Sequence, residues 1–117
     1  MITREFAETF AGHWIRAWNA HDLDDILSHY SAGFEMSSPY IIQIAEEPSG
    51  KLVGRSAVGA YWRSALERMP TLHFELIRVL VGVDSVTIYY QGVRGFAAEV
   101  FFFGQDGLVE RACAHYE

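Results

Sequence analysis

LHFELIRVLVGVDSVTIYYQGVRGFAAEVFFFGQDGLVERACAHY, residues Leu72 to Tyr116, breaks into four runs rich in β-branched and aromatic residues. They are Leu72–Gly82, Ser85–Gly92, Phe96–Gly104 and Leu108–Tyr116, with turns expected at Val83-Asp84, Arg94-Gly95 and Asp106-Gly107. Strands joined by turns this short pair antiparallel. Side chains alternate across a strand, so Glu99, Phe101 and Phe103 share one face while Val100 and Phe102 share the other. A sheet apolar on both faces needs cover on both sides.

Upstream of Pro70 the apolar period is helical. Phe6, Phe10, Trp14 and Trp18 recur every four residues and predict a helix over roughly residues 3–20. Asp22 is a good N-cap for a second helix, with Asp24 and Asp25 in its first turn and Leu23, Ile26, Leu27 and Tyr30 on its buried face. A short strand is expected at Phe34–Ser38, stopped by Pro39. The run Tyr40–Ile44 and the turn-forming Glu46–Gly50 have no clear period. A third helix spans Ser56–Met69, with Val58, Tyr61, Trp62, Ala65, Leu66 and Met69 on its apolar face. Helices followed by hairpin-linked strands predict one α+β domain over residues 1–117, three N-terminal helices packed on a curved antiparallel sheet. The helices can cover only one sheet face, so a homodimer through the other is expected.

Composition narrows the partners. Of 117 residues 50% are hydrophobic and 21% charged, which suits a folded core rather than a disordered chain. The net charge is −6 and the nine Lys and Arg residues form no basic run, so neither nucleic acid nor an anionic membrane is an expected partner. No apolar run approaches a membrane span, and nothing at the N-terminus resembles an export signal. A single cysteine, Cys113, excludes an internal disulfide and suits a reducing, cytoplasmic location. The five histidines show no ligand spacing, so no metal site is expected, and most are assigned to the surface. Phosphate-loop, dinucleotide and GxSxG motifs are missing, and no cofactor is expected.

WIRAWNAHDLDDILSHYSAGFEMSSP, Trp14–Pro39, resembles the opening of the nuclear transport factor 2-like superfamily, which includes SnoaL-like cyclases and steroid Δ-isomerases. GRSAVGAYW at Gly54–Trp62 and EVFFFGQDG at Glu99–Gly107 resemble its third-helix start and last hairpin. The resemblance implies a cystatin-like α+β barrel, a cone whose apolar interior opens at one end, and dimerisation through the sheet. It also implies where chemistry would sit. The isomerase base falls on Ser38, its first-helix tyrosine on Trp14 and its late-strand acid on Glu99. Serine is too weakly basic to remove a carbon-bound proton, and an indole N–H cannot act as an acid near neutral pH. The steroid-isomerase mechanism is therefore not expected here.

Glu99 is the candidate for acid–base work. Among Phe101 and Phe103 its carboxyl would be desolvated and its pKa raised. The structural alternative is a pair with Arg78 or Arg94, or contact with water at the sheet edge. Trp14, Trp18, Met36, Tyr61, Trp62, Val86, Ile88, Phe101, Phe103 and Tyr116 would supply an apolar lining or the core beneath it. Tyr30, Ser38, Tyr40 and Glu99 would be the few polar groups that orient a ligand. Two functions follow: a cofactor-free isomerase, lyase or cyclase acting on a small hydrophobic molecule, with Glu99 assisted by Tyr30 or Tyr40, or a non-catalytic binding or scaffold protein.

Overall fold

The computed structural model describes residues 1–117. Its order is α1 (Arg4–Asn19), α2 (Leu23–Leu27), β1 (Tyr30–Ser37), α3 (Pro39–Ile44), β2 (Lys51–Val53), α4 (Arg55–Arg68), β3 (Glu75–Val81), β4 (Ser85–Gly92), β5 (Gly95–Phe103) and β6 (Val109–Tyr116). The strands form one six-stranded sheet in the order β2-β1-β6-β5-β4-β3. β3 to β6 are consecutive antiparallel hairpins. The chain then returns beside its first strand, and β1 pairs with β6 in parallel. Parallel neighbours need a long crossover, and everything from α3 to β5 supplies it. The sheet curves but does not close, so β2 and β3 remain edges.

Three expectations are corrected here. There are four helices, not three. Pro39 stops β1, as expected, but it also opens α3: its fixed φ suits the first helical position, and the Ser38 hydroxyl accepts the Tyr40 N–H at 3.1 Å. Tyr30 begins β1 instead of completing the second helix, which ends at Leu27 where the Ser28 hydroxyl donates back to the Asp25 carbonyl at 2.6 Å. The sheet is not wholly antiparallel, because of the β1–β6 pair. The unassigned segment after Ser38 also holds β2, three residues antiparallel to Glu35–Ser37.

α1 lies across the concave face and buries Ala7, Phe10, Ala11, Trp14, Ala17 and Trp18. Its end is pinned to the chain before β3. Asn19 exchanges two hydrogen bonds with the Phe74 backbone, at 2.7 and 3.0 Å, and the His21 ring lies 2.9 Å from the Leu72 carbonyl oxygen. α4 packs on α2 so closely that a Cβ on Gly59 would stand 3.1 Å from Leu27 Cδ1, which explains a glycine in mid-helix. No helix is long and apolar enough to cross a membrane.

Side-chain size along the concave face decides where the interior fills. Toward one end stand Val86, Phe101 and Val109, with the Phe10 ring 4.9 Å from Phe101 and 5.0 Å from Phe103. Toward the other, β5 offers only Ala97, and the β4–β5 hairpin is flanked by Gly92 and Gly95. Large rings close the first end, while small residues leave the second hollow. On the convex face Tyr89 stacks on Phe96 at 5.6 Å, and Leu80, Tyr89 and Phe96 are exposed.

Candidate active site

The hollow end contains a cavity of about 380 Å³. α1 contributes Trp18, α3 gives Tyr40 and Ile44, and α4 gives Tyr61, Trp62, Ala65 and Arg68. Met69, Leu72 and Phe74 close the wall before β3, with Tyr90 and Ala97 on the sheet floor. The β4–β5 hairpin, with Arg94 at its tip, and Tyr116 and Glu117 complete the rim. The volume is in the range, roughly 300–1,000 Å³, of sites that enclose small molecules.

Of the residues expected at a pocket, Trp18, Tyr40, Tyr61, Trp62 and Tyr116 stand on this wall. Trp14, Met36, Val86, Ile88 and Phe101 do not: they are core beneath it. Phe103 lies at the filled end, edge-on to Phe6 and Phe10. Ser38 is buried as the α3 cap. Tyr30 is fully buried behind the wall residue Trp62, its hydroxyl accepting the Trp14 indole N–H at 3.0 Å. That bond occupies the one polar group of Trp14. The sequence reading missed Phe74, Tyr90, Leu72, Met69, Ile44, Arg68 and Arg94 as wall residues. Tyr90 could have been found, since it shares parity with Val86 and Ile88.

Glu99 is 4% exposed and faces the interior between Ile88 of β4 and Ala114 of β6. It sits two residues deeper along β5 than Ala97, or about 7 Å at the usual strand rise. Neither arginine considered as its partner reaches it. Arg78 donates to the Ile77 carbonyl at 2.9 Å, and the Arg94 guanidinium lies 4.9 Å from the Tyr40 ring centre. The only ion pairs are Arg4–Glu8 and, when His13 is protonated, His13–Asp25. With no counter-charge, burial pushes the Glu99 carboxyl up to about 8, and at neutral pH it is largely protonated.

Four tyrosines surround this carboxyl. Burial raises the pKa of Tyr30, Tyr61, Tyr90 and Tyr116, and the Glu99 charge raises each further. Against that, the nearby Ser38 hydroxyl lowers Tyr61 and Tyr116. Tyr61, Tyr90 and Tyr116 are thus neutral phenols on the cavity wall, backed by a carboxyl that is also neutral. Such groups donate hydrogen bonds, and the carboxyl can release its proton near neutral pH.

The histidines do not assemble into a site of this kind. His73 and His115 are exposed, as expected, but His13, His21 and His29 are half-buried. His13 Nε2 meets both Asp25 carboxylate oxygens, at 3.0 and 3.1 Å, and its ring packs edge-on to His29 at 4.4 Å. No cluster of three or more His, Cys, Asp or Glu side chains is arranged to hold a metal ion.

This geometry can be set beside known proteins. A family model described as a SnoaL-like domain matches residues 11–116. The chain belongs to the SnoaL-like family. A SnoaL-like protein of unknown function from Burkholderia thailandensis is 62% identical, with a TM-score of 0.97 over 99% of this chain and 98% of its own. The epoxide hydrolase/cyclase-like enzyme SalBIII, from pyran ring formation in the polyether salinomycin, is 16% identical, with a TM-score of 0.78 over 100% of this chain and 95% of its own. A candidate isomerase of the SnoaL-like family from Agrobacterium tumefaciens is 13% identical, with a TM-score of 0.74 over 94% of this chain and 96% of its own. At those last two identities the likeness is one of fold alone. No curated protein matches the sequence. This SnoaL-like fold, with its cystatin-like sheet, is the one that the Trp14–Pro39 resemblance implies.

Proposed function

We propose that the chain is a small-molecule pocket protein of the SnoaL-like type, acting without a cofactor as an isomerase, lyase or cyclase on a small hydrophobic substrate. One observation carries this reading: Glu99, a buried carboxyl without a counter-charge, stands behind the tyrosine wall of an apolar cavity. The aromatic wall holds the substrate body, and neutral phenols of Tyr90 and Tyr116 donate to a substrate oxygen as negative charge builds on it. Glu99, behind that wall, exchanges the proton with the substrate through one bridging water, its raised pKa poising it near neutral pH. The descriptions of two fold neighbours, an isomerase of the SnoaL-like family and an epoxide hydrolase/cyclase-like enzyme, suit proton-transfer chemistry of this class.

The test is proton–deuterium exchange next to the carbonyl of small cyclic ketones, followed by NMR in heavy water. The native chain is expected to accelerate exchange for those ketones that quench its tryptophan fluorescence. Glu99→Gln, which keeps the shape, should lower the rate by about 100-fold or more while ketone affinity holds. The second reading, a binding protein without catalysis, is favoured by Ser38, a helix cap at the position where the resemblance to steroid Δ-isomerases sets their base. Ketones that bind and exchange no faster than in buffer would support that reading instead.

The assembly belongs to the same proposal. A second copy covers the convex face through Leu80, Tyr89 and Phe96, exposed apolar residues on neighbouring strands. Arg78, Arg111 and Glu35 lie on that face, so mixed charge there spares two acidic chains from simple repulsion. Light scattering at micromolar concentration should give twice the 13.2 kDa chain mass. A one-chain mass would rule the dimer out.

A further inference from the structure

Two arginines stand on the rim of the cavity from different elements, Arg68 in the last turn of α4 and Arg94 at the tip of the β4–β5 hairpin. Both are exposed, and neither forms an ion pair. The chain has only nine basic residues and a net charge of −6, so two free guanidinium groups at one opening concentrate scarce positive charge. The one acidic residue on the wall, Glu117, accepts the Phe96 N–H at 2.9 Å and pairs with neither arginine, so two positive groups stand against one negative group at the rim. Arg94 is also positioned: its guanidinium lies over Tyr40, whose ring packs 4.3 Å from that of Tyr116. Stacking on an aromatic face orients a guanidinium while leaving its N–H edge free to donate.

We propose that the ligand is an amphipathic anion, an apolar or aromatic body carrying a carboxylate that Arg94 and Arg68 hold at the mouth. This rests on the pocket reading above and extends it to the class of substrate. The body enters the aromatic wall, the carboxylate stays at the wet rim, and the far end of the molecule is directed toward Tyr90 and Glu99. Charge at the rim instead of the interior avoids placing an anion beside a carboxyl that must itself titrate. Its desolvation cost is small, because an exposed guanidinium meets the anion where water still reaches both. Arg94 and Arg68 therefore select and orient the ligand and take no part in proton transfer.

The experiment uses a matched pair of probes, 2-naphthoate and the neutral 2-naphthamide, with affinity read from quenching of Trp18 and Trp62 in the wall. The native chain should bind the carboxylate at least about tenfold more tightly than the amide, the scale of one charge-assisted contact. Raising salt should shrink that preference, as it does for exposed charges. The double variant Arg68→Met, Arg94→Met keeps the apolar stems and should lose the preference, read as the ratio of carboxylate to amide affinity in the same protein. Equal binding of the two probes, or a preference that survives in the double variant, overturns the anion proposal and leaves the apolar pocket standing. Failure of both probes to bind overturns the pocket reading and this proposal together.

Discussion

Glu99→Gln is expected to remove a large pH dependence from the stability of the fold. In the folded chain burial pushes the carboxyl up to about 8, against an ordinary value of 4.5. Between those limits the folded state holds a proton that the unfolded state has released. Stability from this group is therefore complete below about pH 4.5 and is lost as pH rises through about 8. At about 1.4 kcal/mol per pKa unit the loss is on the order of 4–5 kcal/mol. Glutamine keeps the shape and carries no proton to lose, so the variant gains on the native chain as pH rises. Urea unfolding of both proteins from pH 5 to pH 8.5 reads this directly. Parallel profiles would mean that Glu99 is solvated or paired in solution.

The comparison must be a difference, because His29 contributes with the opposite sign. Burial lowers its pKa, as does the His13 charge, while Asp25 partly offsets both. A histidine depressed in the folded state stabilises above its ordinary value of 6.5 and loses that contribution as pH falls. The loss is common to the native chain and Glu99→Gln, so it cancels between them.

Phe101→Ala should cost the fold about 3–5 kcal/mol, lowering Tm by more than about 10 °C. Phe101 is fully buried, meeting Phe10 at 4.9 Å and Trp14 at 5.4 Å edge-on, with Val86 and Ala112 beside it on the same sheet face. Truncation opens a void where three elements meet, and none of the neighbouring rings can follow without leaving other contacts. Val83→Ala, at an exposed turn position, should stay within about 0.5 kcal/mol. Calorimetry of the two variants separates a packed interior position from a surface one. Equal costs would contradict the close packing of Phe101 at the filled end.

The parts of the fold that could be read from residues were those with a strong period. The stripe through Phe10, Trp14 and Trp18, the face of α4 and the alternation along β4 and β5 each specify an element and its buried side. The same alternation put Glu99 inside. Boundaries failed where a local side-chain bond outranks periodicity. The Ser38 cap turns Pro39 from a stop signal into a helix start, and the Ser28 back-bond ends α2 before Tyr30. β2 was invisible because three residues carry no period, and its pairing is set by β1. The cavity wall was legible only in part. Alternation says that Trp14, Ile88 and Phe101 face inward, but not whether space remains beside them. That depends on which large and small residues meet across the interior. Phe74 beside Tyr90, and Arg94 over Tyr40, are such meetings of residues distant in sequence.

The most direct test of the account is the titration of the Glu99 side-chain carboxyl by carbon-13 NMR, with the cavity empty and with 2-naphthamide bound. The expected result is a midpoint of about 8 that moves when the cavity is filled, since Glu99 lies behind the wall that the ligand touches. A midpoint near the ordinary 4.5, unchanged by the ligand, would contradict it: Glu99 would then be a solvated glutamate with no part in the cavity's chemistry.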